Sequence, residues 1–197
     1  MEINVVMKTI KASVLVSVFE FRICFVVFLG AKTNKMLAPR KKLWTTPKDA
    51  MAKALEWLNP KEIDVVFDIG SGDGEFLLLA AQNSTPLKIT GVEIEEERAT
   101  NAKAMLEENG VGEGKVSIII GNALEQSYDS GTCFFMYLIP RGLRLILPKL
   151  RSIDHPIRIV TFMNPLPDVE PIKVEKISTA QHPEAQWPLF YYELSPR

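Results

Sequence analysis

The feature that most constrains this chain is the glycine-rich run VVFDIGSGDGEF at residues 65–76. Its pattern predicts a short buried strand that ends in an acid, a turn containing Gly70, Gly72 and Gly74, and the start of a helix. Glycine allows positive φ and lets a ligand approach the backbone closely, while the helix N-terminus offers free N–H donors. The run therefore predicts a ligand site between a strand and the helix that follows it.

The glycine spacing argues against a nicotinamide dinucleotide as this ligand. A dinucleotide-binding loop has the spacing G-x-G-x-x-G, and the third glycine of that motif would fall on Glu75. A glutamate at the helix start would repel a pyrophosphate, whereas a zwitterionic cofactor without phosphate meets no such repulsion. A plain glycine turn without a ligand is the remaining alternative.

A second acid, Glu93, ends the next apolar run and follows Gly74 by 19 positions. A carboxylate at a strand tip can accept two charge-assisted hydrogen bonds from a ribose diol. The three glutamates at 95–97 are explained as first-turn helix residues, which the helix dipole favours. Glu93 precedes that helix, so we predict that it binds the cofactor; a solvated surface acid is the alternative.

Strand and helix patterns alternate through the rest of the chain. The predicted strands are 63–69, 88–93, 116–120, 132–137 and 157–163, with a closing antiparallel pair at 172–179 and 189–194. The predicted helices are 46–58, opened by Thr46 as a cap and by Pro47, then 75–82, 95–109 and 143–150, the last kinked or split by Pro148. Such alternation predicts an α/β fold with a largely parallel sheet, helices on both faces and ligands at the carboxyl ends of the strands.

Residues 1–35 are predicted to be a hydrophobic N-terminal segment separate from a domain over 36–197. The run at 14–30 is nearly all apolar but contains Glu20 and Arg22. A spanning helix needs about 20 apolar residues, and each central charge costs roughly 2.5–3.5 kcal/mol, so this one is marginal. A membrane anchor, a targeting segment and a stretch outside the functional domain all stay open.

Two expectations about location follow from this ambiguity. The protein is expected in the cytoplasm, with a mitochondrial or membrane-associated location as the alternative. In the latter case residues 12–30 would make the membrane contact.

Composition argues against nucleic-acid and metal-binding classes. The formal net charge is −1 over 197 residues, so no overall field attracts nucleic acid. Cys24 and Cys133 lie in apolar stretches, as buried thiols do, and His155 and His182 each precede a proline, which indicates loops. Because these residues form no cluster, we predict no metal site.

The motif D-x-G-x-G-x-G, the acid Glu93 and the G-N-A-L run at 121–124 together resemble the class I S-adenosylmethionine-dependent methyltransferases. The resemblance covers about residues 44–197. It implies a Rossmann-like, doubly wound, mostly parallel sheet of seven strands, the final one antiparallel beside the fifth. It also implies S-adenosyl-L-methionine as the cofactor.

The resemblance further assigns roles to single residues. It implies that Asp68 faces the methionine amine and that residues 70–74, Ser71 included, line the methionine and ribose. It implies that Glu93 holds the ribose hydroxyls and that Asn122, with Ala123, binds the adenine. Many members have Asp at position 122, whereas the amide oxygen of Asn122 accepts a hydrogen bond without charge assistance.

A narrower resemblance concerns the substrate. The W-T-T-P run at 44–47, the G-S-G-D-G loop and the Y-L-I-P-R-G-L run at 137–143 are similar to the small lysine methyltransferases of mitochondrial membrane proteins and to their microbial relatives. This resemblance implies a protein lysine substrate. Tyr137, at the end of the fourth predicted strand, is the candidate catalytic residue, which could orient an amine or line a lysine channel; a packing tyrosine is the alternative. A small-molecule methyltransferase and a cofactor-binding protein without catalysis stay open as functions.

Overall fold

The structure, a computed structural model, describes residues 45–112, 114–179 and 182–196. The predicted hydrophobic segment 1–35, with Cys24, lies outside the described residues. Within the described ranges, no helix is both long and apolar enough to cross a membrane.

Helices and strands alternate in the described residues as predicted. In chain order they are α1 (Lys48–Leu58), β1 (Val65–Ile69), α2 (Glu75–Asn83), β2 (Lys88–Glu93), α3 (Glu96–Glu108), β3 (Val116–Ile120), a single 3₁₀ turn (Ala123–Glu125), β4 (Cys133–Met136), α4 (Pro140–Arg151), β5 (Ile157–Phe162), β6 (Lys173–Thr179) and β7 (His182–Leu194).

The seven strands form one sheet in the order β3-β2-β1-β4-β5-β7-β6. The first five strands are parallel, whereas β7 runs antiparallel to both β5 and β6. The predicted α/β sheet, with an antiparallel strand beside the fifth, is confirmed. The strand order reverses at β1, which has β2 on one side and β4 on the other, so the carboxyl ends of these three strands surround the crevice where open α/β sheets bind ligands.

Apolar side chains cover both faces of the sheet. One face packs against α1, α2 and α3 through residues such as Leu58, Leu77 and Leu106. The other face packs against α4, whose buried stripe includes Leu143 and Leu150. Burial on both faces explains why β1 is apolar at every position except Asp68.

Three local predictions need correction. Pro148 does not split α4, because Pro148 and Arg144 both lie on its exposed face, where water can bond the Arg144 carbonyl that lacks a partner. Helix α1 begins at Lys48 with Pro47 at the cap position and no side-chain cap, so Thr46 does not cap it. His182 begins β7 and is not in a loop, since this strand starts seven residues earlier than predicted.

A polar cluster around Asp64 joins the amino ends of the central strands. The Asp64 carboxylate accepts hydrogen bonds from Arg158 Nη2 at 2.6 Å and from Thr132 Oγ1 at 2.7 Å. Burial disfavours the charged form of Asp64, but the bonds from Arg158, from the Lys61 amide and from Thr132 outweigh it and hold the pKa of the Asp64 carboxyl below its ordinary value. Arg158 also donates to the Leu58 carbonyl at 2.6 Å, so the cluster joins α1, β1, β4 and β5.

A fragment of residues 36–197 is expected to fold and to bind cofactor without residues 1–35. The reason is that every strand and helix described in the structure lies between residues 45 and 196. Cooperative thermal unfolding and calorimetric titration of the fragment beside the full chain check this prediction. An insoluble or non-binding fragment, with a soluble and binding full chain, would contradict it.

Candidate functional site

The predicted glycine loop lies at the carboxyl end of β1 and adopts the conformation that only glycine takes easily. The φ angles of Gly70, Gly72 and Gly74 are 86°, 53° and 81°. At Gly74 a β-carbon would also lie 2.9 Å from the Ala102 β-carbon of α3, so the loop is seated closely on the neighbouring helix. These three positions require glycine for backbone conformation and, at Gly74, for packing.

The Ser71 side chain packs against Gly91 of β2. Its Oγ is buried, has no hydrogen-bond partner and lies 2.7 Å from the position that a β-carbon on Gly91 would occupy. Ser71 instead contributes its backbone: its amide and that of Gly70 both donate to the Val92 carbonyl, at 3.1 and 2.8 Å. These bonds join the glycine loop to the tip of β2.

Glu93 is held at the tip of β2 by two backbone donors. One carboxylate oxygen accepts the Gly72 amide at 2.8 Å, and the other accepts the Glu95 amide at 2.9 Å. The side chain is buried, so it is not the solvated surface acid of the alternative interpretation. Each carboxylate oxygen can accept a further hydrogen bond, which leaves Glu93 able to bind two ligand hydroxyls while it orders the loop.

Asp68 is a buried acid next to the glycine loop. Its side chain is 4% exposed, and no hydrogen bond to its carboxylate is present among the described residues. Burial, and secondarily the charge of Glu93, raise the pKa of the Asp68 carboxyl from 3.8 to about 8. A buried carboxylate without a donor is unfavourable on its own, and a bound cation would relieve both effects.

Asn122 and Ala123 follow the carboxyl end of β3. The Gly121 amide donates to the Glu93 carbonyl at 2.8 Å, which places this segment beside the tip of β2. The Asn122 side-chain oxygen accepts the Leu124 amide at 3.0 Å and so caps the 3₁₀ turn. Its second lone pair remains for a ligand donor, and Ala123 is half-buried beside it.

Two exposed apolar side chains flank these polar groups, and sequence reasoning missed them. Ile94 and Ile120 are 40% and 43% exposed; Ile94 directly follows β2, and Ile120 is the last residue of β3. Because Glu93 pairs with Ile120 in the sheet register, the two isoleucines lie on adjacent strand ends. They offer an apolar surface suited to a flat ring; an exposed isoleucine next to a strand tip is the signal that could have found them.

The fourth strand places Tyr137 and Leu138 on the other side of the crevice. The Leu138 side chain lies 3.1 Å from the position that a β-carbon on Gly70 would take, so it covers the glycine loop directly. Tyr137 is half-buried, and its ring meets that of Phe162 edge to face, with centroids 5.0 Å apart. Tyr137 is therefore at the predicted edge of the sheet and is also a packing residue.

Asn164, which sequence reasoning also missed, fixes this side of the crevice. Its side-chain amide donates to the Leu138 carbonyl at 3.1 Å, and its own carbonyl accepts the buried Thr161 hydroxyl at 2.7 Å. The preceding Met163 has a φ of 67°, a left-handed conformation that costs a non-glycine residue about 1–3 kcal/mol. No short-range pattern announces such a contact, which joins residues 26 positions apart.

The structure thus brings most of the predicted site residues to one edge of the sheet. Asp68 leads into the glycine loop, and Glu93 bonds the loop and acts on Asp68 through its charge. Asn122 lies one strand further along. Tyr137 approaches from the opposite side through its neighbour Leu138. Within the described residues no cluster of His, Cys, Asp or Glu side chains is arranged to hold a metal ion.

Comparison with known proteins places this geometry among related chains. No family model matches the chain. The chain is similar to a protein-lysine N-methyltransferase of Saccharolobus islandicus (strain REY15A), with 36% identity over 107 residues. The matched stretch covers 54% of this chain and 66% of that relative.

Two solved structures share the fold. An RNA methyltransferase from Salinibacter ruber, in complex with S-adenosyl-L-homocysteine, has a TM-score of 0.69 at 22% identity, covering 78% of this chain and 95% of that one. A geranyl diphosphate C-methyltransferase from Streptomyces coelicolor A3(2), also with S-adenosyl-L-homocysteine, has a TM-score of 0.51 at 16% identity. The match covers 57% of this chain and 43% of that one. At these identities the likeness concerns the fold. The strand order and these likenesses show that this chain has the Rossmann-like fold of the class I methyltransferases.

Proposed function

We propose that this protein is an S-adenosyl-L-methionine-dependent methyltransferase and that its substrate is a lysine side chain in a protein. The observation that supports the cofactor best is the buried carboxylate of Asp68, which accepts no hydrogen bond from any described residue, beside a loop of three left-handed glycines. That arrangement fits a ligand with a cationic amine and no phosphate. A phosphate would meet the acids Asp68, Glu93 and Glu75 instead.

The residues present fit this cofactor group by group. Asp68 would accept the methionine amine, the Gly70–Gly74 backbone would line the methionine and ribose, and Glu93 would accept the ribose hydroxyls. The Asn122 side-chain oxygen would accept a hydrogen bond from the adenine amino group. The adenine ring would lie between the apolar side chains of Ile94 and Ile120. When bound, the cofactor supplies a methyl group on a sulfonium, which is already electrophilic, so this chain has mainly to position an acceptor and exclude water.

The lysine substrate is supported by the named relative and by the chemistry of the β4 edge. A lysine must be neutral to accept a methyl group, and burial among apolar side chains lowers a lysine pKa. Leu138, which lies against Gly70, and the exposed Ile139 would offer an apolar approach, and the Tyr137 hydroxyl would be the polar group near the incoming amine. Tyr137 would orient that amine, which needs no strong base.

The test is incubation of the full chain and a cell extract with methyl-labelled S-adenosyl-L-methionine, followed by mass spectrometry of the labelled products. We expect label on lysine side chains of protein. Label only on a small molecule would leave a methyltransferase with a different substrate class. Cofactor binding with no label transferred anywhere would leave a binding protein without catalysis.

Tyr137→Phe is expected to lower turnover at least severalfold while changing cofactor affinity little. The substitution removes the hydroxyl proposed to orient the amine but keeps the ring that packs on Phe162. Single-turnover methylation and calorimetric cofactor titration together check this. Tyr191→Phe is the matched control, because its hydroxyl bonds Glu193 within β7. Equal losses in the two variants, or unchanged turnover in Tyr137→Phe, would contradict the role given to Tyr137.

A further inference from the structure

Helix α4 presents an exposed basic face that starts beside the proposed acceptor entrance. The face consists of Arg141, Arg144, Leu145 and Pro148, all exposed. We propose that this basic face of α4 binds an acidic segment next to the target lysine of the protein substrate. The proposal rests on the proposed function and names the feature that would select the substrate.

The local charge is the first observation that supports it. No Asp or Glu occurs between Asp129 and Asp154, whereas this stretch contains four basic residues, in a chain whose formal net charge is −1. A positive patch on a nearly neutral protein is a local feature, and such patches steer and select partners of opposite charge.

The helix dipole favours neither arginine of this face. A cation in the first helical turn is unfavourable with respect to the helix dipole, and Arg141 is the second residue of α4. Lys149 and Arg151, by contrast, lie in the last turn and bond the carbonyls of Gln126 and Asp168, at 3.0 and 3.2 Å. Arg144 makes no ion pair or hydrogen bond within the described ranges, so its charge is available to a partner.

The face is attached to the loop that covers the glycines. A β-carbon on the buried Gly142 would lie 3.3 Å from the Leu138 β-carbon, and Leu138 in turn covers Gly70. At about 1.5 Å per helical residue, Arg144 lies roughly 7–8 Å along α4 from Ile139. An extended peptide spans that distance in about two to three residues. We therefore expect the acidic residues two to four positions from the lysine.

An acidic peptide suits this face better than RNA does. Only two arginines face outward here, next to the apolar Leu145 and Pro148, whereas tracking a phosphate backbone requires a wider basic surface. Mixed arginine and apolar side chains are typical of protein-binding surfaces.

The experiment compares the wild-type full chain with Arg144→Glu on three fluorescent peptides that share a central lysine and differ in acidic, neutral or basic flanks. Peptide dissociation constants come from fluorescence anisotropy, and kcat and KM from transfer of labelled methyl. Lys88→Glu makes the same charge change at the exposed amino end of β2, and this variant is the matched control.

We expect wild type to favour the acidic peptide, with a preference that declines as salt rises. Arg144→Glu should raise KM for the acidic peptide about tenfold, equivalent to ~1.4 kcal/mol, leave kcat unchanged and improve binding of the basic peptide. Lys88→Glu should behave like wild type.

Several outcomes would overturn the proposal. They are equal loss on all three peptides, no preference in wild type, or an RNA oligonucleotide that binds more tightly than the acidic peptide and is weakened by Arg144→Glu. Because anisotropy needs no turnover, a chain that methylates none of the peptides still decides the binding question. Failure of the proposed function would then be distinguished from failure of the α4 surface.

Discussion

Glu93→Ala is expected to weaken S-adenosyl-L-methionine binding by about 1.5–3 kcal/mol, the usual value for hydrogen bonds to a charged group. Two effects contribute. The ribose hydroxyls lose their acceptor, and the amides of Gly72 and Glu95 lose the oxygens that now accept them at 2.8 and 2.9 Å. The loop would then be less ordered before the cofactor arrives, so binding must also order it.

Calorimetry on the full chain measures this effect, with Glu97→Ala as the matched control. Glu97 is an exposed first-turn glutamate of α3, and no hydrogen bond joins it to the glycine loop. Unchanged affinity in Glu93→Ala, or tight binding of NAD by wild type, would contradict the cofactor assignment.

Asp68→Asn is expected to abolish the pH dependence of stability that the buried acid imposes, and to weaken cofactor binding at the same time. The folded-state pKa of Asp68, about 8, lies above the unfolded value of 3.8, so the folded chain binds more protons between these limits. Stability therefore falls as pH rises through that window, by at most ~1.4 kcal/mol for each pH unit. Asparagine has no such titration, so its slope should be flatter.

Urea unfolding at several pH values between 5 and 8, without cofactor, measures both slopes. Asp73→Asn changes an exposed acid of the same loop and is the matched control, which should keep the wild-type slope. In calorimetry Asp68→Asn should lose about 1.5–3 kcal/mol of cofactor affinity, because a charged acceptor becomes neutral. Equal slopes in wild type and Asp68→Asn would refute the buried acid as a source of pH sensitivity.

Together the two variants indicate a protein whose cofactor loop is less favourable empty than filled. Within the described structure no donor bonds the Asp68 carboxylate. The Glu93 carboxylate accepts the Gly72 amide and so orders the loop. Sites of this kind commonly reduce stability to gain binding, and a cationic ligand should raise the unfolding temperature of wild type more than that of Asp68→Asn.

Local signals in the sequence were sufficient to locate the cofactor side of the site. The bounds of β2 and β3 agree with prediction, because each is a short apolar run bounded by polar or glycine residues. The left-handed glycines follow from their spacing between a strand and a helix. Glu93 is recognisable because an acid at the end of a buried strand stands out from the apolar residues before it.

The acceptor side could not be predicted in the same way, because it is built from long-range contacts. The bond from Asn164 to Leu138 and the cover of Gly70 by Leu138 join segments that are far apart in sequence. The start of β7 at His182 could not be predicted either, because Pro183 and Pro188 are poor strand formers. Only the pairing with β6 defines residues 182–188 as part of the strand.

The position of β7 between β5 and β6 has a consequence for how the chain reaches its native state. Among the residues that the structure describes, 157–162 of β5 pair on that side only with 189–194, and β6 joins the sheet through β7 alone. During synthesis, β5 therefore presents an open hydrogen-bonding edge until residue 194 has left the ribosome. Until then β6 also lacks the strand with which it pairs. A chain that stops before residue 182 would keep that edge exposed and would be prone to aggregate through it.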